Sequence, residues 1–341
     1  MNPQFLLLYG VLAACLFTET VHGARSDRKM PPIGHLLQNS ASGENRGLSD
    51  AFRQGLRELG YVDGKNVAIV VRSAESKVER LPELASELVR LKVDLLLAGG
   101  ASPIRAAIQS TRTIPIVMTQ GPDPIASGFI ASLARPGGNI TGMTGSLPGL
   151  NGKRLELLKE SFPMVSHMAL LWDPSYPGSL NEKKELDSIA DSLGVKLKAL
   201  EIGKIQRWDK EFSSLKGQGI GALLMLGLNF TTGLHAQITE VTLKNRLPTM
   251  WVNCQPNELG NESSEPVSFS SLDLMCYSPN IAELYRRAAT YVDKIFKGAK
   301  PADLPVEQPK KFDFVINLKT ANQIGVTIPQ WVLVKANRVI K

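Results

Sequence analysis

The sequence has few of the residues from which metal sites and redox centres are built. Its 341 residues include 3 Cys, 4 His and 6% aromatic residues. The formal charge of +7 is not clustered. Basic and acidic residues alternate along predicted helices, as in the EKKE of residues 182–185, which is typical of solvated helix faces. We therefore expect no nucleic-acid partner.

Catalytic motifs are missing as well. The sequence has no Walker phosphate loop, no Gly-x-Ser-x-Gly elbow, no His-Glu-x-x-His and no Cys-x-x-Cys. Its glycine-rich run at residues 217–221 precedes an apolar segment instead of following one, so it lacks the context of a dinucleotide-binding loop. The four His fall on separate segments and form neither a zinc set nor a triad. We expect a binding protein and not an enzyme, with no metal and no cofactor.

Only the amino terminus contains a hydrophobic segment typical of protein export. Residues 5–17 are mostly apolar, too short to span a bilayer core of about 30 Å but typical of a signal-peptide core. Cleavage after Gly23 would remove a leader of residues 1–23. A lipoprotein signal ending before Cys15 also fits the LAAC of residues 12–15, and a buried amino-terminal element is the third alternative. We expect a periplasmic or extracellular protein, and the lipid anchor at Cys15 stays open.

Two further cysteines, Cys254 and Cys276, flank a polar stretch near the end of the second half. In an oxidising compartment such a pair can form a disulfide. The sequence leaves a disulfide and two separate thiols equally open.

The same order of predicted strands and helices occurs twice. Short continuous apolar runs alternate with amphipathic stretches, which indicates a parallel sheet covered by helices on both faces. Leu59 and Gly60 correspond to Leu193 and Gly194 at an offset of about 134 residues. We predict an α/β protein with two Rossmann-like, doubly wound lobes at residues 33–140 and 150–270. A glycine- and proline-rich hinge at 133–152 joins them, and residues 271–341 return to pack across both lobes.

Loops at the carboxyl ends of the predicted strands supply the candidate ligand-binding residues, because doubly wound sheets bind ligands at that edge. A ligand carboxylate would accept hydrogen bonds from Ser40 and Ser102, and an ammonium would pair with Asp123 or Asp173. Each of these residues can instead be a helix cap or a turn residue. The set suits a small polar or zwitterionic ligand. The candidates from these loops are Asn39, Ser40, Ser42, Gly100, Ser102, Thr119, Asp123, Asp173, Ser175, Asn229 and Asn253.

Four stretches of the chain carry a family resemblance. They are residues 51–64 (AFRQGLRELGYVDG), 65–97, 132–142 (SLARPGGNITG) and 299–319 (AKPADLPVEQPKKFDFVINLK). They closely resemble ABC transporter substrate-binding proteins of the tryptophan and tyrosine uptake type, from about Ile33 to the carboxyl end. The resemblance implies a type I periplasmic-binding fold whose two lobes, joined by three crossovers, close over a small ligand. It also implies that the ligand is an amino acid, with an aromatic side chain favoured, and that the protein delivers this ligand to a membrane permease with its ATPase.

The chain departs from this family near the expected hinge strand. Where the family has Gly-Gly-Leu-Met-Ser-Tyr-Gly, residues 272–278 are LDLMCYS, and the preceding loop is longer. Tyr277 joins the candidate ligand residues through this resemblance. Asp123, Pro124 and Gly128 of the family's Asp-Pro-x-x-x-Gly are kept. Two other functions stay open: an exported ligand sensor, and a cleft enzyme such as a cofactor-free racemase that would use Asp123, Asp173 or Cys254.

Overall fold

A computed structural model describes residues 30–40, 44–176, 178–226, 232–254 and 270–341. The predicted leader, Cys15, Ser42 and Asn229 lie outside the described residues. Within those ranges, none of the helices combines the length and the apolar composition that crossing a bilayer requires.

The first half of the chain forms a five-stranded parallel sheet with strand order β2-β1-β3-β4-β5. Strands such as β3 are buried along almost their whole length, which explains their continuous apolar sequences. The strands are β1 (Pro32–Leu37), β2 (Ala68–Ser73), β3 (Leu95–Gly99), β4 (Ile116–Gln120) and β5 (Ile140–Gly142). The helices between them are α1 (Glu44–Glu58), α2 (Leu81–Arg90) and α3 (Ala101–Ser110).

The second half repeats this winding in a larger sheet. Its parallel strands have the order β7-β6-β8-β9-β10, which is the order of the first sheet, and β11 and β12 extend it beyond β10. The strands are β6 (His167–Trp172), β7 (Lys196–Glu201), β8 (Ala222–Met225), β9 (Thr249–Trp251), β10 (Met275–Pro279), β11 (Phe312–Asn317) and β12 (Arg338–Ile340). The helices are α4 (Leu150–Ser161), α5 (Ser179–Ser192), α6 (Trp208–Gly217), α7 (Thr232–Lys244), α9 (Leu318–Ile324) and α10 (Gln330–Leu333).

One helix of the tail, α8 (Ile281–Phe296), returns to the first sheet and packs along α1. A Cβ atom at Gly55 of α1 would lie 2.3 Å from the carbonyl oxygen of Arg286, so glycine is what allows the two helices to approach. Tyr61 donates a hydrogen bond to Asp293 at 3.0 Å beside this contact. The chain therefore passes between the two sheets three times: from β5 to α4, from β10 to α8, and from α8 to β11.

Part of the stretch predicted as hinge backbone is regular structure. Residues 133–152 contain β5 and the start of α4. Gly142 has φ +121°, and a Cβ there would lie 2.3 Å from the carbonyl oxygen of Met118. Gly152 similarly packs against Ile189 of α5. These glycines allow close packing within β5 and α4. A glycine-rich composition predicts loops, and for that reason it did not indicate this strand and this helix.

Candidate ligand-binding cleft

The two sheets present their carboxyl ends to each other, and the loops after β4 and β6 touch. A Cβ atom at Gly178 would lie 3.9 Å from Cβ of Ala126 and 4.0 Å from Cβ of Asp123. We call this contact between residues 123–126 and Gly178 the seam. It marks where the two lobes meet beside the candidate ligand residues.

The first lobe contributes hydrogen-bond donors at the amino end of α3. Gly100 precedes this helix with φ +88°, and no side chain caps the helix. The first N–H groups of α3 and the half-buried Ser102 can therefore donate to a ligand carboxylate. Asn39 lies nearby, where its backbone oxygen accepts a hydrogen bond from Ser73 at 2.7 Å, and Ser40 follows it, half-buried.

Thr119 lies beneath these loops and not among them. Its side chain is fully buried, with Oγ1 3.5 Å from the carbonyl oxygen of Ala98. A hydroxyl in this position belongs to the packing between β3 and β4.

Both candidate aspartates shape turns. Oδ1 of Asp123 accepts hydrogen bonds from the N–H groups of Ile125 at 2.8 Å and Ala126 at 3.1 Å. Oδ1 of Asp173 accepts from the N–H of Ser175 at 2.8 Å and from its hydroxyl at 2.6 Å. In the described part of the chain, Oδ2 of each aspartate accepts no hydrogen bond. The turn alternative is therefore correct for both residues, while one oxygen of each stays available for a ligand.

A buried arginine that the sequence did not single out organises the second lobe. Arg154 of α4 donates from Nε to the carbonyl oxygen of Tyr277 at 2.7 Å and from Nη2 to that of Val252 at 3.1 Å. Its Nη1 donates to Asn151. Burial lowers the pKa of Arg154 to about 10, against the opposing charge of Glu182, so the guanidinium remains charged at neutral pH. Arg154 thus connects α4 to the residue after β9 and to the middle of β10.

Glu182 lies at the far end of this hydrogen-bonded chain. Asn151 donates from Nδ2 to Oε2 of Glu182 at 2.9 Å, and Oε1 lies 3.9 Å from the position of a Cβ at Gly178, beside the seam. Burial raises the pKa of Glu182, although Arg154 and Asn151 act in the opposite direction. The expectation of a solvated face at residues 182–185 is therefore wrong for Glu182, which is half-buried, and correct for Glu185, which is exposed.

Cys254 and Cys276 form a disulfide, with their Cα atoms 5.3 Å apart. It ties the segment after β9 to β10, next to the candidates Asn253 and Tyr277. The ring of Tyr277 on β10 stacks on the ring of Phe312 on β11, with 5.6 Å between the ring centroids. Tyr277 therefore lies in the pair of strands that leads towards the first lobe. Cys254 in the disulfide is not available as a thiol nucleophile.

Two similarly wound lobes with a ligand edge between them define the type I periplasmic-binding fold, and solved structures of this class confirm it. An ABC domain from Streptococcus pneumoniae in complex with L-Trp superimposes with a TM-score of 0.76 at 23% identity, over 92% of this chain and 100% of that one. A ligand-free, open substrate-binding protein with adhesive properties from Clostridium difficile gives a TM-score of 0.69 at 23% identity, over 91% and 99%. At such identities these structures show the fold alone.

The chain belongs to the ABC transporter substrate-binding protein family, whose model matches residues 44–340. Among curated relatives, the tyrosine-binding protein of Clostridioides difficile (strain R20291) is 27% identical over 278 residues. That alignment covers 81% of this chain and 75% of the relative. The family predicted from the sequence is thereby confirmed.

Proposed function

We propose that this protein is the extracytoplasmic binding component of an ABC importer, which closes its lobes over an amino acid and presents it to a permease and its ATPase. The seam carries this proposal, because loops from both lobes meet there beside the candidate ligand residues. A ligand that contacts both loops favours the closed arrangement over an open one. The permease would then distinguish the loaded protein by its closed shape.

The groups in the cleft suit an amino acid, and the names of the relatives favour one with an aromatic side chain. The uncapped amino end of α3 offers N–H groups to a carboxylate. Carboxylates from both lobes, Asp123 and Glu182, suit a positively charged group. The curated relative is named for binding tyrosine, and the Streptococcus pneumoniae structure contains L-Trp.

The chemistry of the cleft supports binding without catalysis. Asp123 and Asp173 each commit one oxygen to a turn, and Cys254 is in a disulfide. The disulfide removes Cys254 as a nucleophile, and the turn hydrogen bonds make Oδ1 of each aspartate a weaker base. We infer that closure, and not bond-making, is the protein's activity.

Export accounts for the disulfide. A bond between Cys254 and Cys276 persists in oxidising compartments outside the cytoplasm. We propose that residues 1–23, or a lipoprotein signal ending before Cys15, direct the chain there. Labelling cells with a lipid precursor tests the anchor: incorporation that is lost in Cys15→Ala supports it, and no incorporation in the wild type contradicts it.

A thermal-shift screen tests the proposed function. The purified protein would be heated with each of the twenty L-amino acids, with ribose and citrate as controls of other chemistry. A ligand at a hundred times its Kd adds about 2.7 kcal/mol of stability, so its unfolding midpoint rises by several degrees. A rise for one or more aromatic amino acids is expected. If no amino acid shifts the midpoint, the proposed ligand class is wrong.

A further inference from the structure

Basic side chains that are dispersed in the sequence lie together at the end of the first lobe that faces away from the cleft. All five strands of the first sheet are parallel, so their amino ends share the edge opposite to the candidate ligand loops. An exposed basic residue precedes four of these strands by three to five residues. These residues are Lys65 before β2, Lys92 before β3, Arg112 before β4 and Arg135 before β5.

The helices that end at this edge add further positive charge. Arg57 lies in the last turn of α1 and Arg90 is the last residue of α2, and both are exposed. The rings of Tyr61 and Phe296, with 5.9 Å between their centroids, place the end of α8 at the same edge. Lys300 follows α8 and is also exposed. We call Arg57, Lys65, Arg90, Lys92, Arg112, Arg135 and Lys300 the basic end.

Neighbouring carboxylates leave the basic end positively charged. Among the described residues, no member of the basic end forms an ion pair. Three carboxylates at this edge have other basic partners: Glu58 pairs with Arg286, Asp63 with Arg53 and Asp293 with Lys297. Asp94 and Asp303 are the exposed carboxylates of the described edge that have no such partner. Seven unpaired basic residues therefore outweigh two unpaired acidic ones.

Apolar side chains are exposed among these charges. Met30 lies two residues before β1, Leu59 follows α1 and Leu91 follows α2, and each of the three is between 38% and 49% exposed. Surfaces that combine Lys and Arg with exposed apolar side chains bind lipid headgroups, because electrostatic attraction and apolar burial add there. The composition of this end therefore fits a membrane surface.

The chain enters the first lobe at this same end, directly after the segment that we propose for export. Residues 24–29, ARSDRK, separate the proposed cleavage site from Met30 and contribute three basic residues and one acidic residue. If Cys15 carries a lipid, residues 16–29 span at most about 50 Å between the anchor and Met30. The basic end is then the part of the first lobe closest to the anchored membrane.

We propose that the basic end is a membrane-docking surface, which holds the first lobe against a bilayer rich in anionic headgroups. Each Lys or Arg close to such a surface strengthens binding roughly fivefold, and salt screens the attraction. The carboxyl edge of the first sheet then points away from the bilayer, so the cleft remains accessible to ligand. Because this surface does not include the cleft, its failure would leave the proposed binding function unaffected.

Vesicle sedimentation with two matched charge variants tests the proposal. The chain from Ala24 contains every described element, and it would be mixed with vesicles of phosphatidylcholine, alone or with about one third phosphatidylglycerol. The first variant carries Lys65→Glu, Arg112→Glu and Arg135→Glu. The second carries Lys196→Glu, Lys216→Glu and Lys319→Glu, which are exposed positions at the far end of the second lobe. Both variants change the net charge equally.

The wild type should bind the anionic vesicles and not the neutral ones, and added salt should release it. The first variant should bind about 100-fold more weakly, whereas the second should stay within about threefold of the wild type. Absence of binding to anionic vesicles would overturn the proposal. Equal losses in the two variants would also overturn it, because attraction would then follow net charge and not this surface. Binding to a short duplex DNA but not to vesicles would assign the basic end to another polyanion.

A fluorescent probe on the wild-type charge pattern keeps the proposal testable if the first variant does not fold. An environment-sensitive dye would be attached at Leu91→Cys in the basic end and, in a separate protein, at Val334→Cys on the second lobe, where the side chain is also exposed. Anionic vesicles should shift the emission of the dye to the blue at position 91 and leave it unchanged at position 334. A shift at position 334 alone would contradict docking through the first lobe.

Discussion

Arg154 donates a hydrogen bond from Nε to the backbone carbonyl of Tyr277 at 2.7 Å, and this contact joins α4 to the strand that leads out to the first lobe. Arg154 is 5% exposed, and the other hydrogen bonds of its guanidinium reach Val252 after β9 and Asn151. A single side chain thus connects the passage between the lobes to the rim of the cleft. Two of its hydrogen bonds go to backbone carbonyl oxygens, and these bonds fix the positions of Tyr277 and Val252.

Replacing Arg154 should destabilise the second lobe. In Arg154→Met the carbonyl oxygens of Tyr277 and Val252 lose their donors inside the protein, and we expect a loss of about 2–4 kcal/mol in the free energy of unfolding. Urea denaturation measures this. The control is Lys153→Met, whose side chain is exposed on the same helix turn and should change stability by less than about 0.5 kcal/mol. Equal effects in the two variants would contradict the structural role of Arg154.

The packing of α1 against α8 gives a matched pair of glycine substitutions. Gly55→Ala puts a methyl group 2.3 Å from the carbonyl oxygen of Arg286 and should cost about 1–3 kcal/mol. Gly47→Ala lies on the same helix with nothing within 4 Å of its Cβ, and should be neutral or stabilise by up to about 1 kcal/mol. Urea denaturation of both variants checks the pair. A neutral Gly55→Ala would contradict the close approach of α1 and α8.

His35 should make the protein sensitive to acid. Burial, with a smaller contribution from the charge of Arg53, lowers the pKa of His35 to about 3. Below pH 6.5 the unfolded chain takes up a proton at this residue and the folded chain does not, so stability falls as the pH drops from about 6.5 towards 3. At pH 5 the effect is about 2 kcal/mol.

The variant His35→Leu isolates this effect, because a buried apolar side chain takes up no proton. Between pH 7.5 and pH 5 its free energy of unfolding should fall by about 2 kcal/mol less than that of the wild type. His167→Gln, at a half-buried position on β6, is the control. Parallel pH profiles for the wild type and His35→Leu would contradict the buried, neutral state of His35.

The disulfide should stabilise the protein and the cleft together. Cys254 and Cys276 are 22 residues apart in sequence, and replacing both with Ser should cost about 3 kcal/mol by releasing that loop. Because Asn253 and Tyr277 are their neighbours, ligand affinity should fall as well. Mass spectrometry after alkylation without reductant should find both cysteines unmodified by the reagent. Alkylation of both would mean that the disulfide does not form.

Much of the fold follows from burial, and so it could be predicted. Strands such as β6 are continuous apolar runs because both faces of the sheet are covered, so the alternation of strands and helices could be predicted. The offset of about 134 residues correctly indicated two sheets of one winding order. The lobe limits of 33–140 and 150–270, with 271–341 returning, stay predictions.

The site was harder to predict, because charge patterns do not reveal which charges are buried. Glu182 and Arg154 lie in helices of alternating charge, and only the packing of α4 against α5, β9 and β10 distinguishes them from exposed neighbours such as Glu185. Hydroxyls and carboxylates after strands could be proposed as candidates, since the edge rule applies to any doubly wound sheet. Their local turn bonds depend on backbone geometry that composition does not encode.

Calorimetric titration of the purified wild-type protein with aromatic L-amino acids tests the central claim most directly. We predict saturable binding of at least one of them at one site per chain, and weaker binding of the matching acid without the amine. Absence of binding heat for every aromatic amino acid, with an unchanged unfolding midpoint in their presence, would contradict the account.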